Sequence, residues 1–78
     1  MFEYSNKRFA SALRAERARK DMSQGELAER SGVSRITISR YEDGSTVPSA
    51  ENLCAMSGAL GISPNVLLGW PKRRLLSE

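Results

Sequence analysis

The sequence predicts an all-α domain of five short helices. Three observations carry that expectation. Serines suited to opening a helix stand ahead of apolar-periodic segments, at Ser5, Ser23, Ser34, Ser49 and Ser63. Residues suited to turning the chain stand behind them, at Asp21, Gly32, Asp43-Gly44, Gly61 and Gly69. No run of β-branched residues alternates apolar and polar for long enough to make a strand.

The first helix is capped by Ser5 or Asn6 and runs to about Lys20, with Phe9, Leu13 and the stem of Arg17 on one face at i, i+4 and i+8. Its alanines (Ala10, Ala12, Ala15, Ala18) favour helix. Asp21 stands at the turn, where Asp tolerates the left-handed conformation better than most side chains. Ser23-Gln24-Gly25-Glu26 has the spacing of a capping box, and Met22 with Leu27 that of a hydrophobic staple. This second helix ends near Ser31, before Gly32. Ser34 caps a third helix, about Arg35 to Glu42, which Asp43-Gly44 ends. Val47-Pro48 imposes an extended step, and Ser49 opens a fourth helix to about Leu60 with Leu53, Met56 and Leu60 as its stripe. Ser63-Pro64 opens a short fifth helix carrying Val66, Leu67 and Leu68, which Gly69 ends.

Composition bounds what such a domain can do. The 78 residues make one small domain, with no room for a second domain or a self-cleaving Ser–Lys switch. No apolar run approaches the roughly 18–20 residues of a bilayer span, and Met1-Phe2-Glu3-Tyr4 has no signal-peptide pattern, so neither membrane insertion nor export is expected. Cys54 is the only cysteine and there is no histidine. That excludes an internal disulfide, a Cys/His zinc site and His-based acid–base or triad catalysis, and a reducing, cytoplasmic setting follows. With no glycine-rich phosphate loop and no acidic pair, neither an enzyme nor a cofactor is expected.

Net charge is +3, and its distribution says more than the sum. Six of the twelve positive residues lie between positions 7 and 20 (Lys7, Arg8, Arg14, Arg17, Arg19, Lys20), and Lys72, Arg73 and Arg74 lie near the end. Charge alone is compatible with a solvated helix face and a soluble tail, or with a polyanionic partner.

The informative stretch is Gln24 to Tyr41. Two helices joined by so short a turn, with Gly32 in it, must cross steeply, which is helix-turn-helix geometry. Ala28 has to be small where the helices cross, and Leu27, Val33, Ile38 and Tyr41 fall on the inward faces. The segment Met22-Ser23-Gln24-Gly25-Glu26-Leu27-Ala28-Glu29-Arg30-Ser31-Gly32-Val33-Ser34-Arg35, continued by Ile36-Thr37-Ile38-Ser39-Arg40-Tyr41-Glu42-Asp43-Gly44, resembles the Xre/Cro-type, lambda-repressor-like DNA-binding domains. Pro48-Ser49 before the fourth helix and Ala59-Leu60-Gly61-Ile62-Ser63 before the fifth extend the resemblance over about residues 8 to 69. Asp21 stands where the family has glycine and Ser31 where it has an apolar residue; either departure costs on the order of 1 kcal/mol of stability.

The resemblance implies a compact five-helix, lambda-repressor-like fold over residues 1–69, with the helix-turn-helix at about 24–42 and a basic tail at 70–78. It also implies a third helix entering the major groove of double-stranded DNA by its N-terminal end, and a second helix lying across the backbone. On that basis Arg35, Ile36, Thr37, Ser39 and Arg40 are the expected base contacts. Arg35 can give two bonds to guanine O6 and N7, and Ile36 can meet a thymine methyl. Other roles stand beside these: solvation for Arg35, a phosphate for Arg40, packing against the second helix for Ile36. Gln24, Ser34, Ser45 and Thr46 are the expected phosphate contacts, with plain capping as the other role of Ser34; Arg14 and Lys20 are weaker candidates. Arg17 and Glu42 are implied to pair structurally, holding the third helix without reading DNA.

The expected function is therefore sequence-specific transcriptional regulation, most simply repression, by a nucleoid-associated homodimer on a near-palindromic operator. Two dimer surfaces are available: Leu67 and Leu68 of the fifth helix, and Trp70, Leu75 and Leu76 of the tail, unless Trp70 folds back over the core. Leu67-Leu68-Gly69-Trp70 also resembles the point where the linkers of longer repressors begin. The alternative is an antitoxin or adaptor that grips a protein partner through residues 70–78.

Overall fold

Among the described residues, a serine hydroxyl opens four of the five helices. Ser5, Ser23, Ser34 and Ser49 each accept the backbone N–H three residues on, satisfying a donor that the first turn leaves without a partner. The helices are α1 (Asn6–Arg19), α2 (Gln24–Ser31), α3 (Arg35–Glu42), α4 (Ala50–Leu60) and α5 (Pro64–Leu68). The computed structural model describes residues 3–69 and holds no strand among them. The tail at 70–78, with Trp70, Leu75 and Leu76, lies outside the described residues.

Ser5, not Asn6, caps α1, and the Asn6 Nδ2 donates instead to the Gly44 carbonyl at 3.4 Å. Glu26 completes the capping box of α2, its carboxylate accepting the Ser23 N–H at 2.8 Å. At α5 Ser63 makes no side-chain cap, and Pro64, which has no N–H to satisfy, begins the helix. Gly32 ends α2 at φ 79°, a left-handed conformation that glycine reaches without a steric penalty. Asp21 takes the same region at φ 54°, the only non-glycine to do so among the described residues.

One core joins all five helices. Phe9 and Leu13 of α1, Leu27 of α2, Ile38 and Tyr41 of α3, Met56 and Leu60 of α4 and Leu67 of α5 are buried in it, with Met22 and Val33 from the connections. Each large apolar side chain so buried contributes about 1.5–3 kcal/mol. The Phe9 ring meets Tyr41 edge-on at 5.5 Å, and the Tyr41 hydroxyl accepts from Asn52 Nδ2 at 3.0 Å, so one residue of α3 is held from both α1 and α4. Helix α1 packs on α3 and α5, α2 on α3 and α4, and α4 on α5. Ala28 packs against this core, partly buried, as the crossing of α2 and α3 requires.

Leu67 corrects an expectation. Its side chain is fully buried in the chain's own core, so it cannot cover a second copy; Val66 is exposed and Leu68 half-buried. No helix among the described residues is long and apolar enough to cross a membrane.

Replacing Gly32 by Ala tests the turn. The added Cβ meets no atom within 4 Å, so the cost is conformational alone. The loss expected in urea unfolding is about 1–2 kcal/mol; an unchanged midpoint would mean that this residue is not left-handed.

Candidate nucleic-acid interface

Helix α3 is two-sided. Ile38, Tyr41 and Glu42 are buried. Helical periodicity then puts Ile36 and Arg40, one turn apart, at the middle of the opposite face, with Arg35 and Ser39 along one flank and Thr37 along the other. Ile36 is 69% exposed, the highest value among the large apolar side chains described. Arg35, Ser39 and Arg40 are exposed, and their side chains bond to no described residue. Thr37 is half-buried and hydrogen-bonded to Ser34.

What turns α3 this way is the carboxylate of Glu42, at only 6% exposure. Arg17 of α1 grips it as a fork, with Nε 2.7 Å from Oε2 and Nη2 2.9 Å from Oε1. The third Arg17 donor, Nη1, binds the Met22 carbonyl at 2.8 Å and so ties in the connection to α2. Gln24 Nε2 adds a 3.0 Å bond to Oε1. The hydrogen bond to Glu42 is the main influence that raises the Arg17 pKa above its already high value, so the guanidinium stays charged. Arg14, one turn before Arg17, donates through Nη1 to the Glu42 carbonyl at the C-terminal end of α3.

These bonds redistribute several residues expected at the interface. Arg14, a weaker phosphate candidate, is engaged with the end of α3. Lys20 is exposed and lies beside Gly61. Gln24 is half-buried and turned inward, leaving its second amide proton and its backbone N–H for any outside acceptor. The backbone N–H groups of Gln24 and Gly25 in α2, and of Arg35 and Ile36 in α3, have no partner among the described residues. Ser34 caps α3, and its hydroxyl is hydrogen-bonded to that of Thr37 at 2.8 Å. The Ser45 hydroxyl donates to the Arg40 carbonyl at 3.2 Å, and its N–H to Asp43 Oδ1 at 3.0 Å. Thr46 is half-buried next to it.

Sequence reasoning missed the roles of Arg14 and Gln24 in this hub. The i, i+3 spacing of Arg14 and Arg17 puts both on the α3 side of α1 and was a usable signal; nothing in the sequence marks Gln24 as turned inward. Among the described residues no cluster of three or more Asp, Glu, Cys or His could hold a metal ion.

The hub predicts a specific non-additivity. Arg17→Ala and Glu42→Ala each strand a partly or fully buried charge and are expected to cost about 3 kcal/mol. The double substitution should cost clearly less than the sum in urea unfolding. Strict additivity would show that the two side chains do not act as a pair.

The helix-turn-helix family model matches residues 13–67. The chain is 43% identical over 56 residues to the C2 repressor of Salmonella phage P22, covering 72% of this chain and 26% of the repressor. It is 42% identical over 57 residues to an uncharacterised helix-turn-helix transcriptional regulator of Mycobacterium tuberculosis, covering 73% and 41%. The chain thus spans about a quarter of one relative and two-fifths of the other. Among solved structures it resembles the restriction-modification controller protein C.AhdI of Aeromonas hydrophila, with a TM-score of 0.77, 34% identity and coverage of 80% of this chain and 94% of that one. It likewise resembles the P22 c2 repressor in complex with a synthetic operator, with a TM-score of 0.73, 40% identity and coverage of 78% and 94%. The chain belongs to the Xre-type, lambda-repressor-like helix-turn-helix family of transcriptional regulators and repressors.

Proposed function

We propose that the chain is a sequence-specific, double-stranded DNA-binding regulator that acts as a repressor, two copies occupying a near-palindromic operator. One observation carries this reading: Arg35, Ile36, Ser39 and Arg40 form an outward face whose polar side chains have no partner among the described residues, on a helix keyed in place from behind by Arg17 and Glu42. The likeness to an operator-bound repressor supports it. The DNA-binding unit is residues 1–69, with 70–78 as a separate basic tail.

In this reading α3 enters the major groove. The Arg35 guanidinium gives paired bonds to O6 and N7 of a guanine, Ile36 packs on a thymine methyl, and Ser39 and Arg40 extend the contact along the groove. Thr37 sits at the edge of the stripe. Helix α2 crosses the backbone, where the free N–H groups of Gln24 and Gly25 meet a phosphate with the helix dipole behind them. Ser34 lies at the start of α3, and Ser45 and Thr46 follow the strand past its end. One such domain reads few bases, so specificity comes from two half-sites about one helical turn apart. With Leu67 buried, Val66 and Leu68 are the apolar groups that α5 offers a second copy.

Selection of bound duplexes from a randomised pool at about 100–150 mM salt tests the reading. The expected product is a two-fold motif, and Arg35→Ala should relax one base pair in each half-site at a cost of about 1–3 kcal/mol. Retention of duplexes without sequence enrichment would overturn the base-contact assignments. No retention would overturn DNA binding and favour a protein partner.

A further inference from the structure

Ile36 is the one aliphatic member of the outer face of α3. Arg35 beside it and Arg40 one turn on are exposed cations whose side chains bond to no described residue. Between them Ile36 is 69% exposed. One such side chain is too little apolar surface to seat a protein partner, since a stable interface takes roughly 800 Å² from each side. The flanking positive charges match a polyanion instead. In the major groove of a duplex, the apolar feature on a base edge is the methyl group at C5 of thymine.

The Ile36 side chain carries no donor and no acceptor. It therefore cannot distinguish the O4 acceptor of thymine from the N4 amino group of cytosine. It responds only to whether a methyl group is there to be covered. 5-Methylcytosine carries that methyl on the same ring carbon, and uracil lacks it. We infer that Ile36 reads the C5 methyl group and not the base, so that 5-methylcytosine takes the place of thymine against it. Methylation of a cytosine at that position then strengthens binding, and the methylation state of the DNA regulates occupancy of the operator. This rests on the reading of α3 as the DNA-facing helix and adds a regulatory input to it. Covering one methyl group is worth about a fourfold change in affinity.

The test uses the full chain and a duplex carrying the motif enriched from the randomised pool, with Ile36→Ala checked for folding by circular dichroism. Thymines of one half-site are replaced singly by uracil. At one of them the wild type should lose about fourfold in affinity, and Ile36→Ala should lose nothing. That T·A pair is then replaced by C·G, with and without a methyl group at C5 of the cytosine. The wild type should bind the methylated duplex about fourfold more tightly than the unmethylated one. Ile36→Ala should bind the two alike, which separates contact with the methyl from its effect on the shape of the duplex.

A wild type indifferent to every uracil would overturn the inference. Equal affinity for the methylated and unmethylated cytosine duplexes would do so too, as would a methyl effect that persists undiminished in Ile36→Ala. Failure of the wild type to enrich any motif would overturn the base-reading role of α3 and this inference with it, whereas the first three results would leave that reading standing.

Discussion

A carboxylate taken out of water has to be matched by donors, and that of Glu42 is matched by three, two from Arg17 and one from Gln24. Its placement is locally unfavourable. It closes the last turn of α3, where the helix dipole already presents negative charge. Arg17 offsets the side chain and Arg14 the carbonyl, so two residues of α1 and one of α2 converge on the end of α3. The desolvation cost of such a buried pair makes it a weak source of net stability and a strong constraint on geometry. With Glu42 drawn inward beside Ile38 and Tyr41, the rotation of α3 about its axis is set. Ile36 and Arg40 must then face out.

This arrangement divides the polar groups of the helix-turn-helix into two sets. Arg14, Arg17, the Ser45 hydroxyl and one proton of Gln24 are committed to the interior frame. The side chains of Arg35, Ser39 and Arg40 and the first backbone N–H groups of α2 and α3 have no partner among the described residues. The division has a physical advantage for recognition. Groups that key the reading helix stay paired in the free protein, so binding need not order them, and less freedom is lost on association. Ile36 belongs to the outer set for a different reason: an aliphatic side chain so exposed gains only when another apolar surface, such as a thymine methyl, covers it.

Much of this was legible in the sequence because it is local. Ser23 and Glu26, Ser34 ahead of Arg35, and Gly32 at the turn each act within a few residues, and their chemistry fixes helix ends directly. The inward faces were legible too, since Leu27, Val33, Ile38 and Tyr41 follow from helical spacing. What was not legible depends on where long or rotatable side chains reach. Gln24 could have pointed to solvent as easily as to Glu42, and Arg14 could have extended away from α3. Leu67 and Leu68 are neighbours on a five-residue helix too short to show a period, so which one is buried is decided by the packing of α5 on α1 and α4. The Ser34 hydroxyl was readable as a cap, but its second bond, to the Thr37 hydroxyl, depends on how both side chains rotate.

In the proposed mode of binding, Arg17 and Glu42 hold α3 so that its outer face meets DNA. Titration of the isotopically labelled domain with the selected duplex, followed by NMR, tests this most directly. The shifts expected are concentrated at the backbone N–H groups of Gln24, Gly25, residues 35–37, Ser39 and Arg40, with the Arg17 Nε–H resonance unmoved and protected throughout. Shifts centred instead on the exposed side of α4, at Ala50, Cys54 and Gly58, or an Arg17 Nε–H that exchanges freely with solvent, would contradict it.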